Sequence, residues 1–203
     1  MITLEGRKYM SPKKLLAAKG IHYLVTRFGS ARLRSASFDE KYRRGDWNFK
    51  GDAGDELPSI IRKYLRGGAI LILGCGAASI LDVFEPTEFS SVLGLDLSTE
   101  AVRLANRFAR ANIVFEVGDM VRFQCPRNYD VILFSESFYY VPTSEQKKFL
   151  KRLAGNLKLG GVIVVTLAQS KRYHTIIDLI RGCFQIVEDR KFVGSERHLL
   201  VFR

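Results

Sequence analysis

Cysteine is scarce in this 203-residue chain, and its three copies (Cys75, Cys125 and Cys183) are an odd set without paired metal-ligand spacing. That argues against a disulfide-built secreted scaffold and against a thiolate metal site, and it fits reduced thiols in a cytoplasmic protein. No metal is expected. Long apolar runs are missing as well, since none approaches the roughly 18 residues that a membrane span needs. The opening residues lack the apolar core and small-residue cleavage pattern of a secretion signal. There is no internal repeat and no low-complexity tract. Acidic charge is short: 32 Lys and Arg against 21 Asp and Glu leave a formal net charge of +11. The imbalance sits at the front, where residues 1–37 hold eight basic residues and one acid, a balance of +7 that leaves +4 for the rest. A partner attracted by charge would meet that extension first. What is present in quantity is apolar side chain, 47% of the residues, enough for one domain with a substantial core.

Ser11-Pro12 has the form of a helix start, a capping hydroxyl followed by proline at the first helical position. Leu15, Leu16, Leu24, Val25 and Phe28 follow among lysines and arginines, with Gly20 interrupting. Two readings stand: a basic amphipathic element touching anionic lipid, a lipid-linked substrate or nucleic acid, or a helix packed on the domain with its lysines in water. Residues 38–57 are polar and aromatic without a clear period. Their Tyr42, Trp47 and Phe49 could form a lid over a site or anchor the extension to the core. Residues 1–57 are thus read as a basic extension with a lid-like segment, and residues 58–203 as the main domain.

The stretch that organises that domain runs from Ala69 to Ser98. Five apolar residues lead into Gly74-Cys75-Gly76 and a helix-compatible run from Ala77 to Phe84; a second apolar run, Val92 to Leu95, ends on Asp96. Strand, glycine turn, helix, strand and acid within about 30 residues is the size of one βαβ unit. Glycine lets the backbone turn tightly and approach a ligand, and an acid closing the next strand can accept from the two hydroxyls of a ribose. Asp96 lies 22 residues after Gly74. A dinucleotide fingerprint would require a third glycine at position 79, where the chain has Ser79.

Further strands are read at Asn112–Val117, Tyr129–Phe134 and Val162–Leu167. Between them lie helices opening at Ser98, at a Thr143–Gln146 capping box and near Tyr173. Phe184–Val193 and His198–Phe202 form a closing hairpin. The expected fold is α/β: a doubly wound, Rossmann-like, mostly parallel seven-stranded sheet with an antiparallel C-terminal hairpin and helices on both faces. The N-terminal extension is expected to be helical. Ligands on such sheets lie beyond the carboxyl ends of the strands. Those ends carry Gly74–Ala77, Asp96, Asp119, Ser135–Tyr140 and Gln169–His174.

Leu-Gly-Cys-Gly, Val-Leu-Gly-Leu-Asp-Leu-Ser, Val-Gly-Asp-Met, Tyr-Asp-Val-Ile-Leu-Phe-Ser-Glu and Leu-Lys-Leu-Gly-Gly-Val-Ile-Val-Val follow one another in this order. In that order and spacing they resemble the class I S-adenosylmethionine-dependent methyltransferases, over about residues 58–203. The Phe38–Phe49 segment and Ser135–Tyr140 are similar to the small-molecule branch containing the nodulation N-methyltransferases of chitooligosaccharides. The resemblance implies S-adenosyl-L-methionine as cofactor, with Gly74, Cys75, Gly76 and Ala77 against its methionine part. It implies Asp96 on the ribose hydroxyls, Leu97 against adenine, Asp119 accepting from the adenine amino group with Met120 beside it, and Ser135 near the methyl group. Two departures stand out: Ile72 where the family usually has a carboxylate, and Ala78 where it usually has a third glycine.

For catalysis, Glu136 just past a central strand could take a proton from an incoming hydroxyl or amine, or instead bind cofactor or cap a loop. His174 could face the acceptor with an imidazole of near-neutral pKa, or be structural. Tyr42, Trp47, Tyr139 and Tyr140 are read as acceptor-pocket wall, the tyrosines because an unperturbed phenol titrates near pH ~10. The expected activity is methyl transfer to an oxygen or nitrogen of a small acceptor, a saccharide or natural-product intermediate preferred. The alternatives are a nucleic-acid or protein methyltransferase guided by the basic extension, for which nucleic acid is the disfavoured partner, and a non-catalytic cofactor-binding module.

Overall fold

The computed structural model describes residues 29–47, 56–192 and 195–203. The proposed helix start at Ser11, the apolar residues up to Phe28, and Phe49 lie outside these residues. Seven strands form one sheet: β1 (Ala69–Leu73), β2 (Ser91–Asp96), β3 (Ile113–Val117), β4 (Tyr129–Ser135), β5 (Leu157–Leu167), β6 (Ile186–Lys191) and β7 (His198–Phe202). Their order is β3-β2-β1-β4-β5-β7-β6, parallel from β3 to β5, with β7 antiparallel to both β5 and β6. The expected architecture is therefore present. All five residues of β1 and of β7 are buried, as continuous apolar strands covered on both faces must be.

Alternate residues of these strands feed two cores, one on each face. Leu71, Leu73, Ile132, Phe134, Ile163 and Val165 pack with Phe149, Leu150 and Leu153 on one side. Ile70, Ile72, Val131, Leu133, Val162 and Val164 pack with Leu57, Ile60 and Ile61 on the other. The helices that cover them are α2 (Glu56–Leu65), α3 (Thr99–Ala105), α4 (Thr143–Ala154) and α5 (His174–Cys183). Among the described residues no helix is long and apolar enough to cross a membrane.

Four local readings change. Residues 31–43, partly within the stretch read as aperiodic, form a helix, α1 (Ala31–Arg43), capped by Ser30. Its Arg34, Phe38 and Tyr42 are four apart and share one face, and all three line the cleft described below. The run from Ala77 to Phe84 is not an α-helix but a short 3₁₀ turn, Ser79–Val83, entered through Ala78 at φ 55°. Ala78 has a left-handed backbone, which glycine adopts without the steric cost that a side chain adds. Gly160 and Gly161 do not precede the fifth strand but lie inside it, at an irregularity where β5 passes Tyr129 and Val131. Finally, α4 begins after Pro142, with Thr143 already helical and Gln146 donating to the Val141 carbonyl (3.1 Å) instead of closing a capping box.

Candidate active site

The first three strands end in one crevice. Gly74 and Cys75 both donate backbone N–H bonds to the Leu95 carbonyl (2.8 and 3.0 Å), tying the glycine turn to the tip of β2. One residue on, Asp96 accepts from the Gly76 N–H through Oδ2 and from the Ser98 N–H through Oδ1, each at 2.8 Å. Its carboxylate is thereby fixed in place, and each oxygen keeps a further lone pair for a hydroxyl. Burial raises the Asp96 carboxyl above its ordinary range, while the N–H groups of Ser98 and Gly76 oppose that rise. The main chain at the turn is naked by necessity. A Cβ on Gly74 would stand 2.5 Å from the Ser137 Cβ, and one on Gly76 would stand 2.6 Å from the Tyr42 hydroxyl; both residues have positive φ. Beyond β3, Asp119 Oδ1 accepts from the Val121 N–H at 3.0 Å.

Helix α1 lies across this half as a strap. Arg34 donates to Asp119 Oδ2 at 2.8 Å, with both side chains mostly shielded. Asp39 accepts from the Ser98 hydroxyl (2.6 Å) and the Glu100 N–H (3.0 Å), while Ser98 itself caps α3 by accepting from Ala101. Phe38, Trp47, Tyr42 and Tyr140 form an aromatic cluster with ring centroids 5.2–6.4 Å apart. Burial, followed by the charge of Asp96, pushes the Tyr42 phenol well up, so it stays protonated.

The other half is built where β4 and β5 end and β7 begins. Glu136 follows β4 with φ 54°, a left-handed conformation rare for a side chain of this size. It is held there: its N–H donates to the Thr166 hydroxyl (3.2 Å), and Oε2 accepts from the Ala168 N–H (2.6 Å). Oε1 is buried and has no hydrogen-bond partner. Burial raises the Glu136 carboxyl, and the Ala168 N–H, the Thr166 hydroxyl and the charge of Arg197 pull it partly back. Ser137 donates to the Leu73 carbonyl at 2.5 Å, joining this loop to the tip of β1. Tyr139 stacks on Tyr173 with centroids 4.4 Å apart and planes 3° from parallel. Burial keeps the Tyr139 phenol protonated and pushes Tyr140 up to about 12, so both are wall and neither is a base at neutral pH.

A single cleft of about 1580 Å³ joins the two halves. It is larger than one small-molecule ligand requires and has room for a cofactor and an acceptor. The sequence-derived residues Gly74, Cys75, Gly76, Ala77, Asp96, Leu97, Asp119, Met120, Ser135 and Glu136 line it, and so do Tyr42, Trp47, Tyr139 and Tyr140. His174 is not brought there: it is exposed on the first turn of α5, with Nδ1 on the Lys171 carbonyl (3.1 Å). Sequence reasoning missed Arg34, Thr166, Ala168 and Arg197, which also line the cleft. For Arg34 a signal existed in its spacing from Phe38 and Tyr42; for the others there was none.

S-adenosylmethionine fits this arrangement. A fixed carboxylate with free lone pairs stands where a ribose would lie, and Gly74, Cys75 and Gly76 line the cleft beside it. Ile72 is fully packed in a core and offers no charge to the cofactor's ammonium group.

Residues 70–161 match a family described as a methyltransferase domain. No curated protein matches the chain. The chain is similar in structure to the N-methyltransferase NodS from Bradyrhizobium japonicum in complex with S-adenosyl-L-homocysteine. That similarity has a TM-score of 0.62 at 18% identity and covers 81% of this chain and 97% of that one. It is similar also to a TehB-like methyltransferase from Corynebacterium glutamicum (0.63, 19% identity, 83% and 97% covered). A third similar structure is the glycopeptide N-methyltransferase MtfA (0.54, 15%, 66% and 82%). The sheet order and the matched segment agree. The fold is that of the class I S-adenosylmethionine-dependent methyltransferases, and the cleft fits S-adenosylmethionine as cofactor.

Proposed function

We propose that this methyltransferase domain transfers the methyl group to a nitrogen or oxygen of a small acceptor, such as a saccharide or natural-product intermediate, in the cytoplasm. The observation that carries the reading is the buried, unpartnered Oε1 of Glu136 at the edge of an aromatic-walled cleft. A buried carboxylate oxygen without a partner costs free energy, and a left-handed glutamate adds strain. Such outliers persist where the surroundings hold them for a purpose. The cofactor brings an electrophilic methyl group, so the protein's task is to position, dehydrate and deprotonate the acceptor. Tyr139, Tyr140 and Trp47 exclude water and present flat apolar faces. Glu136 accepts the acceptor's proton at Oε1, with Oε2 braced by Ala168. The carboxylate leans toward β5, away from β1 and the glycine turn, which favours the acceptor over the cofactor's ammonium as its partner. The free cysteines among the described residues suit a reducing compartment. That two similar structures are N-methyltransferases adds weight to nitrogen.

The test is incubation with methyl-labelled cofactor and a panel of amino sugars, small amines and phenols. Transfer of label to a small acceptor, lost in Glu136→Gln, is expected. Label appearing only on protein or RNA would overturn the reading.

A further inference from the structure

One guanidinium in the cleft is unused by everything described above. Arg197 immediately precedes β7, whose His198 pairs with Leu167 of β5. That register sets Arg197 across from Ala168, the residue whose N–H holds Glu136. Its backbone is fixed, because its N–H donates to the Ser195 hydroxyl (3.1 Å) and its carbonyl accepts from the Phe192 N–H (3.1 Å). Its side chain lines the same cleft as Glu136, Thr166 and Tyr139. The basic residues nearby are engaged: Lys171 with Glu196, Arg181 with Asp189, Arg190 with Glu188 and Glu56. Among the described residues Arg197 forms no ion pair or side-chain hydrogen bond, although it is near enough to Glu136 for its charge to act on that carboxyl. Glu136 leaves Oε1 without a hydrogen bond, so the two side chains do not satisfy each other.

We propose that Arg197 is an anion-binding residue of the acceptor site, and that the acceptor bears a carboxylate or phosphate beside its nucleophilic nitrogen or oxygen. This rests on the methyl-transfer reading above. A planar guanidinium matches either oxyanion with two parallel hydrogen bonds. With Glu136 receiving the proton and Arg197 gripping the anion, the acceptor is held at two points of opposite charge. Two fixed points orient a small molecule where an aromatic wall alone lets it slide. The plain alternative is a solvated rim charge, which would bind no anion selectively.

Calorimetry on the full chain decides between them. The protein is first loaded with S-adenosylhomocysteine, and that step is itself measured. It is then titrated with inorganic phosphate and separately with acetate, in a chloride-free buffer of low ionic strength. Saturable binding of at least one anion is expected, weakened tenfold or more in Arg197→Gln. It should be unchanged in Arg66→Gln, which removes an exposed charge before the start of β1, at the end of the sheet away from the cleft. A phosphate-only response assigns a phosphoryl group, and an acetate-only response a carboxyl group. The proposal is overturned if neither anion binds the loaded wild type, if Arg197→Gln binds as wild type does, or if Arg66→Gln loses as much. Failure to load S-adenosylhomocysteine would bring down the methyl-transfer reading as well, so the two failures are distinguishable.

Discussion

Asp96 and Glu136 stand in the cleft in different settings. Asp96, gripped by two backbone N–H groups, is shaped to accept from hydroxyls. Asp96→Ala is expected to weaken S-adenosylhomocysteine binding tenfold or more, about 1.4 kcal/mol, by calorimetry. On the proposed reading Glu136 takes the acceptor's proton. Glu136→Gln should lower turnover by ~10²–10⁴-fold and leave cofactor affinity unchanged. Because burial raises its carboxyl, the wild-type rate should increase with pH through a point above the ordinary glutamate value of 4.5, and the variant should lose that limb. The stability sign is the reverse. Below 4.5 the group is protonated whether the chain is folded or not, and stability falls as pH rises through the higher native value. Glu136→Asn, which tolerates the left-handed backbone better, should therefore raise the melting temperature by about 2–4 °C while abolishing turnover. A melting point unchanged or lowered would remove the argument from strain.

At the scale of elements, α1 lies over the crevice. It is fastened by Asp39 at the start of α3 and by Arg34 on Asp119. Asp39→Ala should loosen it, speeding amide exchange in residues 31–43 while β1 to β5 stay protected. Arg34→Met frees Asp119 for an adenine amino group and should tighten S-adenosylhomocysteine binding several-fold; weaker binding would mean that Arg34 itself supports the cofactor. The sheet and its acids were legible because apolar runs of strand length recur along the chain, the first three ending on Gly74, Asp96 and Gly118-Asp119. Helix α1 was less so: charged residues surround Phe38 and Tyr42, masking a face that becomes apolar only against Trp47 and Tyr140. The 3₁₀ turn after β1 was hidden because Ala77-Ala78 reads as helix, and only tertiary context forces Ala78 to a positive φ. Likewise, nothing in Ser-Glu-Ser announces the left-handed Glu136, and a hairpin arginine such as Arg197 reads as an ordinary solvated charge.

Over the whole molecule, one sheet ends on one cleft, and on the proposed reading the tips of β1 to β3 take the nucleoside and those of β4, β5 and β7 the acceptor. The antiparallel edge is tied back to α2 by Lys63 and Tyr64 on Glu188 and by Arg190 on Glu56. Burial alone would raise the Glu188 carboxyl, but Lys63, Tyr64 and Arg190 hold it down to about 2. A depressed native value means stability that is complete above 4.5 and lost as pH falls toward about 2. Glu188→Gln should accordingly flatten the acid limb of the urea midpoint over that window; an unaltered limb would place the acid sensitivity elsewhere. The strap over the nucleoside tips has a kinetic corollary. On the proposed reading, an adenine at Asp119 has to displace the resident Arg34 and is replaced by it on leaving, so the spent product would meet a competitor built into the chain. Such a catalyst gives up some grip on its fuel in exchange for a quick exit of the ash.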